Sequence, residues 1–97
     1  MILVQDTFVC KPGNASKVAK MCKQAFSDSP DVKYVLSDVT GGFNRVIIVS
    51  EYESMSAYEK NWEDMQKDVE KMKKMEEIMK GYTDMYQTGS REILRVW

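Results

Sequence analysis

Tyr58 and Trp62 stand one helical turn apart in a stretch rich in methionine, and the chain carries eight methionines in all. Aromatic rings and thioethers offer polarizable, adaptable contact area, so this stripe, with Phe8 and Tyr34 from strand-like segments, suits a pocket for a flat organic ligand. The same residues at helical spacing also serve as plain core, and a methionine-rich core needs no ligand. Asn44 and Arg45 open an apolar run and are able to orient a carbonyl or an anion. Read structurally, Asn44 is a turn residue that tolerates left-handed geometry, and Arg45 is a solvated flank. The candidate ligand-binding set is therefore Phe8, Tyr34, Asn44, Tyr58 and Trp62.

The remaining reactive side chains offer less. The chain has no histidine, which removes the usual general base and the commonest zinc and haem ligand. Cys10 and Cys22 lack metal-type spacing and read as reduced core thiols. Asp6 and Asp38 lie within apolar strands, where burial would raise their pKa values. Arg91 and Arg95 share one face of a final strand; they suit an anion, but on an edge strand charge more simply discourages unwanted pairing. The lysine-rich run from Lys67 to Lys80 is balanced by acids and reads as a solvated face. Phosphate loops, nucleophile elbows and zinc motifs are absent, so no metal site, no catalytic residue and no cofactor is expected.

Fourteen basic and fifteen acidic residues nearly cancel, which removes the electrostatic reason to expect nucleic acid or an anionic membrane as partner. The N-terminal apolar run is short and lacks a basic lead, and no segment approaches the roughly 20 apolar residues of a membrane span. A cytoplasmic location is the expectation. Ninety-seven residues make one domain, 1–97.

The elements that must position these residues follow from periodicity. Ile2 to Cys10 reads as a strand, broken by Lys11-Pro12-Gly13-Asn14, with Asn14 placed to cap a helix. Ala15, Val18, Ala19, Cys22, Ala25 and Phe26 share one face of that helix, which Pro30 ends. Val32 to Thr40 is a second strand, with Val35 and Val39 on one face and Tyr34 and Leu36 on the other. Gly41-Gly42 is expected to turn it into a hairpin with the strand that ends at Tyr52. Ser56 with Glu59 fits a capping box, and from Met55 the pattern is helical for about thirty residues, including Tyr86. Near-heptad spacing there fits a coiled coil, and a helix bent or broken across a sheet fits as well. Arg91 to Trp97 is the last strand. The order is β-α-β-β-α-β, an α+β, ferredoxin-like arrangement with a four-stranded antiparallel sheet and both helices on one side.

Val46-Ile47-Ile48-Val49 places large aliphatics on both faces of its strand, where a half-exposed strand would alternate. The helices cover one face only. A wet second face would expose several hundred Å² of apolar surface, which two copies packed sheet to sheet would hide. Such a homodimer resembles the dimeric α/β-barrel superfamily, which includes antibiotic-biosynthesis monooxygenases and stress-responsive barrel proteins. More narrowly, Phe43-Asn44-Arg45-Val46, with Tyr52 six residues beyond, is similar to the strand-three motif of the NIPSNAP family, leucine-asparagine-x-valine-x-histidine-leucine-tryptophan-x-tyrosine. Asn44, Val46 and Tyr52 match it, while Ile48 stands at the histidine position and Ser50 at the tryptophan position.

Three functions are compatible with this reading. The first is a homodimer that binds a small apolar ligand or acts as an interaction module. The second, implied by the monooxygenase resemblance, is a cofactor-independent, monooxygenase-like enzyme acting on an aromatic small molecule. Haem chemistry is disfavoured there, because the haem-degrading pattern requires histidine. The third is a subunit of a larger assembly engaged through the charged helix.

Overall fold

The computed structural model describes residues 1–97. The first strand, β1 (Ile2–Cys10), runs through the middle of the sheet because its residues alternate faces and both faces carry apolar groups. It pairs antiparallel with β3 (Arg45–Tyr52) on one side and with β4 (Tyr86–Arg95) on the other. β2 (Val32–Ser37) flanks β3, so the strand order is β2-β3-β1-β4. That order, with every neighbour antiparallel and all helices over one face, is the expected ferredoxin-like α+β fold.

The cross-strand register separates the two faces. Val4, Asp6 and Phe8 of β1 stand beside Ser50, Ile48 and Val46 of β3 and beside Ile93, Arg91 and Gly89 of β4. This face meets the helices. α1 (Ala15–Ala25) lays Val18 and Cys22 on it, both fully buried, together with Cys10, Val46 and Ile48. Removing a valine side chain such as Val18 from water is worth about 1.5–3 kcal/mol, so this small cluster anchors the domain. The other face carries Leu3, Val9, Ile47, Val49, Leu36 and Leu94 and has no helix on it; Val49 at its centre is only 9% exposed, whereas Leu36 and Leu94 toward the edges are open.

Several boundaries differ from the periodicity reading. The second strand stops at Ser37 rather than Thr40, and a seven-residue loop, 38–44, replaces the tight hairpin. Within it Asn44 takes a positive φ of 60°, as a turn residue does. The long helix is broken into α2 (Met55–Lys67) and α3 (Val69–Ile78), which rules out a continuous coiled coil. Asp68 makes the break: its backbone leaves helical geometry while its carboxylate accepts from the Lys71 N–H at 3.1 Å, capping α3. The cap of α2 is Ser54, whose hydroxyl accepts from the Ala57 N–H at 3.1 Å, not Ser56. Asn14 sits at the N-terminus of α1 but makes no side-chain cap.

After Gly81 and a short 3₁₀ turn at Tyr82–Asp84, the last strand begins at Tyr86, five residues before the expected start. Tyr86 thus belongs to the sheet, where its ring meets Phe8 edge-on at 5.0 Å. Gly89, before the expected start of that strand at Arg91, is a strand residue beside Phe8. A β-carbon there would lie 3.5 Å from the Phe8 ring, an ordinary contact, so Gly89 is permitted rather than required. No helix is long and apolar enough to cross a membrane.

Candidate functional site

A cleft of about 390 Å³ lies between the helix-covered face of the sheet and the second helical pair. It exists because α3 leans on α1 and α2 rather than on the strands, so helical packing bridges a gap over the sheet. The break at Asp68 produces this path, which an unbroken helix from Met55 would not follow. Met65, Met72, Met75 and Met79 face the cleft from the helices, while Val4, Phe8 and Ile48 form its floor. Trp62 and Tyr58 close one side, and Tyr82 contributes at the other. Phe8 is held there by edge-on contacts to Tyr82 at 6.3 Å and to Tyr86.

The polar end of the cleft is a unit that residue types alone do not assemble. Asp6 of β1 and Arg91 of β4 are cross-strand partners on the helix-facing side, and Arg91 Nε donates to Asp6 Oδ1 at 2.5 Å. Arg91 Nη1 donates to the Tyr58 hydroxyl at 2.9 Å, and the guanidinium carbon lies 5.4 Å from the Trp62 ring centroid. Three partners therefore fix one planar cation. The Asp6 hydrogen bond raises the Arg91 pKa further above its ordinary value. Arg91 is thus not an edge guard, because its side chain turns over the sheet instead of standing at the open edge. The register β1–β4 is the missing signal: it places residues 6 and 91 side by side, and a chain read linearly cannot supply it.

The candidate residues divide accordingly. Phe8, Tyr58 and Trp62 come together at the cleft. Tyr34 does not: an irregularity in pairing between Val32 and Tyr34 turns Val32 and Val35 toward the helices and Tyr34 onto the uncovered face. Phe8 and Tyr34 therefore lie on opposite sides of the sheet. Asn44 also lies away from the cleft, at the loop before β3, where its carbonyl accepts from the Cys10 N–H at 2.7 Å. Both positions correct the grouping drawn from residue type.

Asp38 and Arg45 form a second ion pair at that loop rather than a raised carboxylate and a solvated flank. Arg45 Nη2 and Nε donate to Asp38 Oδ1 at 2.8 and 3.1 Å, and the Arg45 backbone N–H donates to Oδ2 at 3.0 Å. These hydrogen bonds hold the Asp38 carboxyl below its ordinary pKa. The chain crosses the guanidinium at Gly42, where a β-carbon would come within 2.8 Å of Arg45 Nε, so glycine is needed to keep this pair closed. The pair staples the loop and has no part in the cleft.

Cys10 and Cys22 are free, buried thiols in the core cluster. Burial pushes the Cys22 thiol up to about 11, with smaller contributions from Cys10 and Asp6, so it is protonated and unreactive near neutrality. Tyr52, whose ring meets Tyr58 edge-on at 5.1 Å, is likewise raised by burial. No cluster of potential metal ligands is present. A second groove, about 470 Å³, is lined by charged residues of both signs including Asp31, Lys33 and Glu51, and it is too open to exclude water. The apolar cleft is the stronger candidate.

The chain matches no protein-family model and no curated protein. Its fold is found in solved structures of two kinds. An uncharacterized NIPSNAP domain protein from Burkholderia xenovorans superposes with a TM-score of 0.79 at 13% identity, covering 100% of this chain and 95% of that one. A NIPSNAP family protein from Agrobacterium tumefaciens gives 0.76 at 11% identity, covering 97% and 90%. A putative antibiotic biosynthesis monooxygenase from Deinococcus radiodurans gives 0.61 at 10% identity, covering 100% and 93%. The structural neighbours are thus NIPSNAP-domain and monooxygenase-like proteins, both ferredoxin-like. At these identities the likeness is one of fold.

Proposed function

We propose that this chain is a small homodimeric α/β-barrel protein of the cytoplasm that binds a flat, largely apolar molecule in the cleft between α2, α3 and the sheet. The observation that carries the ligand reading is the cleft itself. It is walled by four methionines and by Phe8, Tyr58 and Trp62, and at one end it carries Arg91, held in place by Asp6 and Tyr58. A plain core would have drawn α3 down onto the sheet, since interiors are packed at crystal density. Two free cysteines suit a reducing compartment. Dimerisation is supported by the uncovered apolar sheet face.

A thermal-shift screen with aromatic metabolites tests the ligand reading. Upshifts are expected with flat bicyclic compounds and should vanish in Met75→Arg, which puts a charge across the cleft. No shift with any aromatic compound, or shifts that persist in Met75→Arg, rejects it.

A second reading, a cofactor-independent oxygenase, draws on the putative monooxygenase among the fold neighbours and on the aromatic walls formed by Trp62 and Tyr58. In such a reaction the protein supplies positioning and a water-poor site. Oxygen uptake with an electron-rich phenol, abolished in Trp62→Ala, would support it, and absence of uptake with every phenol that binds would reject it. Asn44 has no role in this version, since it lies outside the cleft.

A further inference from the structure

Arg91 has five N–H donors. Nε is spent on Asp6 and one Nη1 hydrogen on the Tyr58 oxygen, and the other three meet no protein acceptor. The Tyr58 hydroxyl accepts from Arg91 and donates its own hydrogen to no protein group. The polar end of the cleft therefore holds an excess of donors, fixed in orientation by Asp6, Tyr58 and the Trp62 ring. An occupant that buries this end must bring an acceptor, because unpaired donors in an apolar site are costly.

Charge decides which acceptor. Asp6 already neutralises Arg91. Counting the whole lining, Asp6, Asp31 and Glu76 oppose Lys71 and Arg91, three acids against two bases. A carboxylate entering here would be a further anion beside an Arg91–Asp6 pair that already balances its own charge. Although the Arg91 side chain is 44% exposed, a carboxylate would give up more hydration than a neutral oxygen does. A carbonyl oxygen takes the same hydrogen bonds with no charge to desolvate. We propose that the occupant is a neutral, flat molecule whose polar handle is a carbonyl-type oxygen seated on Arg91 and Tyr58, and that Asp6 sets this preference by excluding carboxylates. This rests on the cleft being a ligand site, as argued above.

The test is equilibrium dialysis at neutral pH with three naphthalenes of nearly equal shape, β-substituted with acetyl, carboxylate or ethyl. Unaltered protein is expected to hold the ketone about five- to tenfold tighter than the hydrocarbon, the value of one net hydrogen bond. It should hold the naphthoate more weakly than the ketone. Asp6→Asn keeps an acceptor for Arg91 Nε but frees the cation, so naphthoate should gain about tenfold relative to the ketone. Arg91→Gln removes the donor cluster and should erase the ketone's advantage over the hydrocarbon, which keeps the proposal testable if Asp6→Asn does not fold. Equal binding of ketone and hydrocarbon by unaltered protein overturns this inference while leaving the ligand site standing. So does an unchanged naphthoate-to-ketone ratio in Asp6→Asn. Binding of none of the three removes the site and the inference together.

Discussion

At the scale of single residues, the same side-chain type takes opposite roles according to what the register puts beside it. Arg45 and Arg91 each hold a carboxylate, yet Arg45 closes a loop and Arg91 forms the polar end of a cleft. Cys22 shows the same dependence on surroundings, since a thiol on an apolar helix face becomes hard to ionise only once the sheet and Cys10 close over it. Its folded pKa, about 11, lies above the ordinary 9.0, so its stabilising contribution is complete below pH 9 and is lost as pH rises toward 11. A difference of that size is worth roughly 2–3 kcal/mol at most. Cys22→Ala should therefore lose stability less steeply than the parent between pH 9 and 11, measured by urea unfolding across that range. Identical slopes would show that the thiol titrates normally in the folded state.

At the scale of elements, the decisive feature is the interruption at Asp68. Helical periodicity continues from α2 into α3, so propensity alone would join them. Asp68 offers the backbone an alternative by capping the Lys71 N–H, and the chain turns there so that α3 packs on α1. Asp68→Ala should cost about 1 kcal/mol through loss of the cap, lowering the melting temperature by about 4–8 °C. Asp68→Asn, which retains the acceptor, should cost much less. Equal melting temperatures for the two variants would mean that the cap does not hold the break.

At the scale of the molecule, the domain is a slab of 36 × 36 × 19 Å, one layer of helices on one sheet. Its accessible surface is 6941 Å², against about 5,700 Å² for a typical folded monomer of 11.2 kDa. The excess exceeds the roughly 800 Å² that each partner commits to a stable interface. Leu36, 43% exposed, and Leu94, 45% exposed, lie on the uncovered face, the surface a second copy would take. The proposed dimer should sediment at twice the chain mass at micromolar concentration. Leu36→Asp should shift it toward monomer with little change in secondary structure, because the residue is already outside the domain's own core. A single species of one chain mass for the parent would reject the dimer.

Strand alternation, the helical face of Ala15–Ala25 and the apolar run Val46–Val49 were enough to give the element order and the ferredoxin-like topology, because those signals are local and periodic. Tyr58 and Trp62, at helical spacing among methionines, and Phe8, in a strand, were legible as apolar contact residues for the same reason, though that pattern fits plain core as well as a pocket. Tertiary structure decided the rest. The pairing irregularity before Tyr34 sends that ring to the far side of the sheet from Val32. The β1–β4 register joins Asp6 to Arg91 across 85 positions of chain. Each of these depends on which strand lies beside which and in what offset. That is settled by packing between segments distant in sequence, and no local pattern contains it.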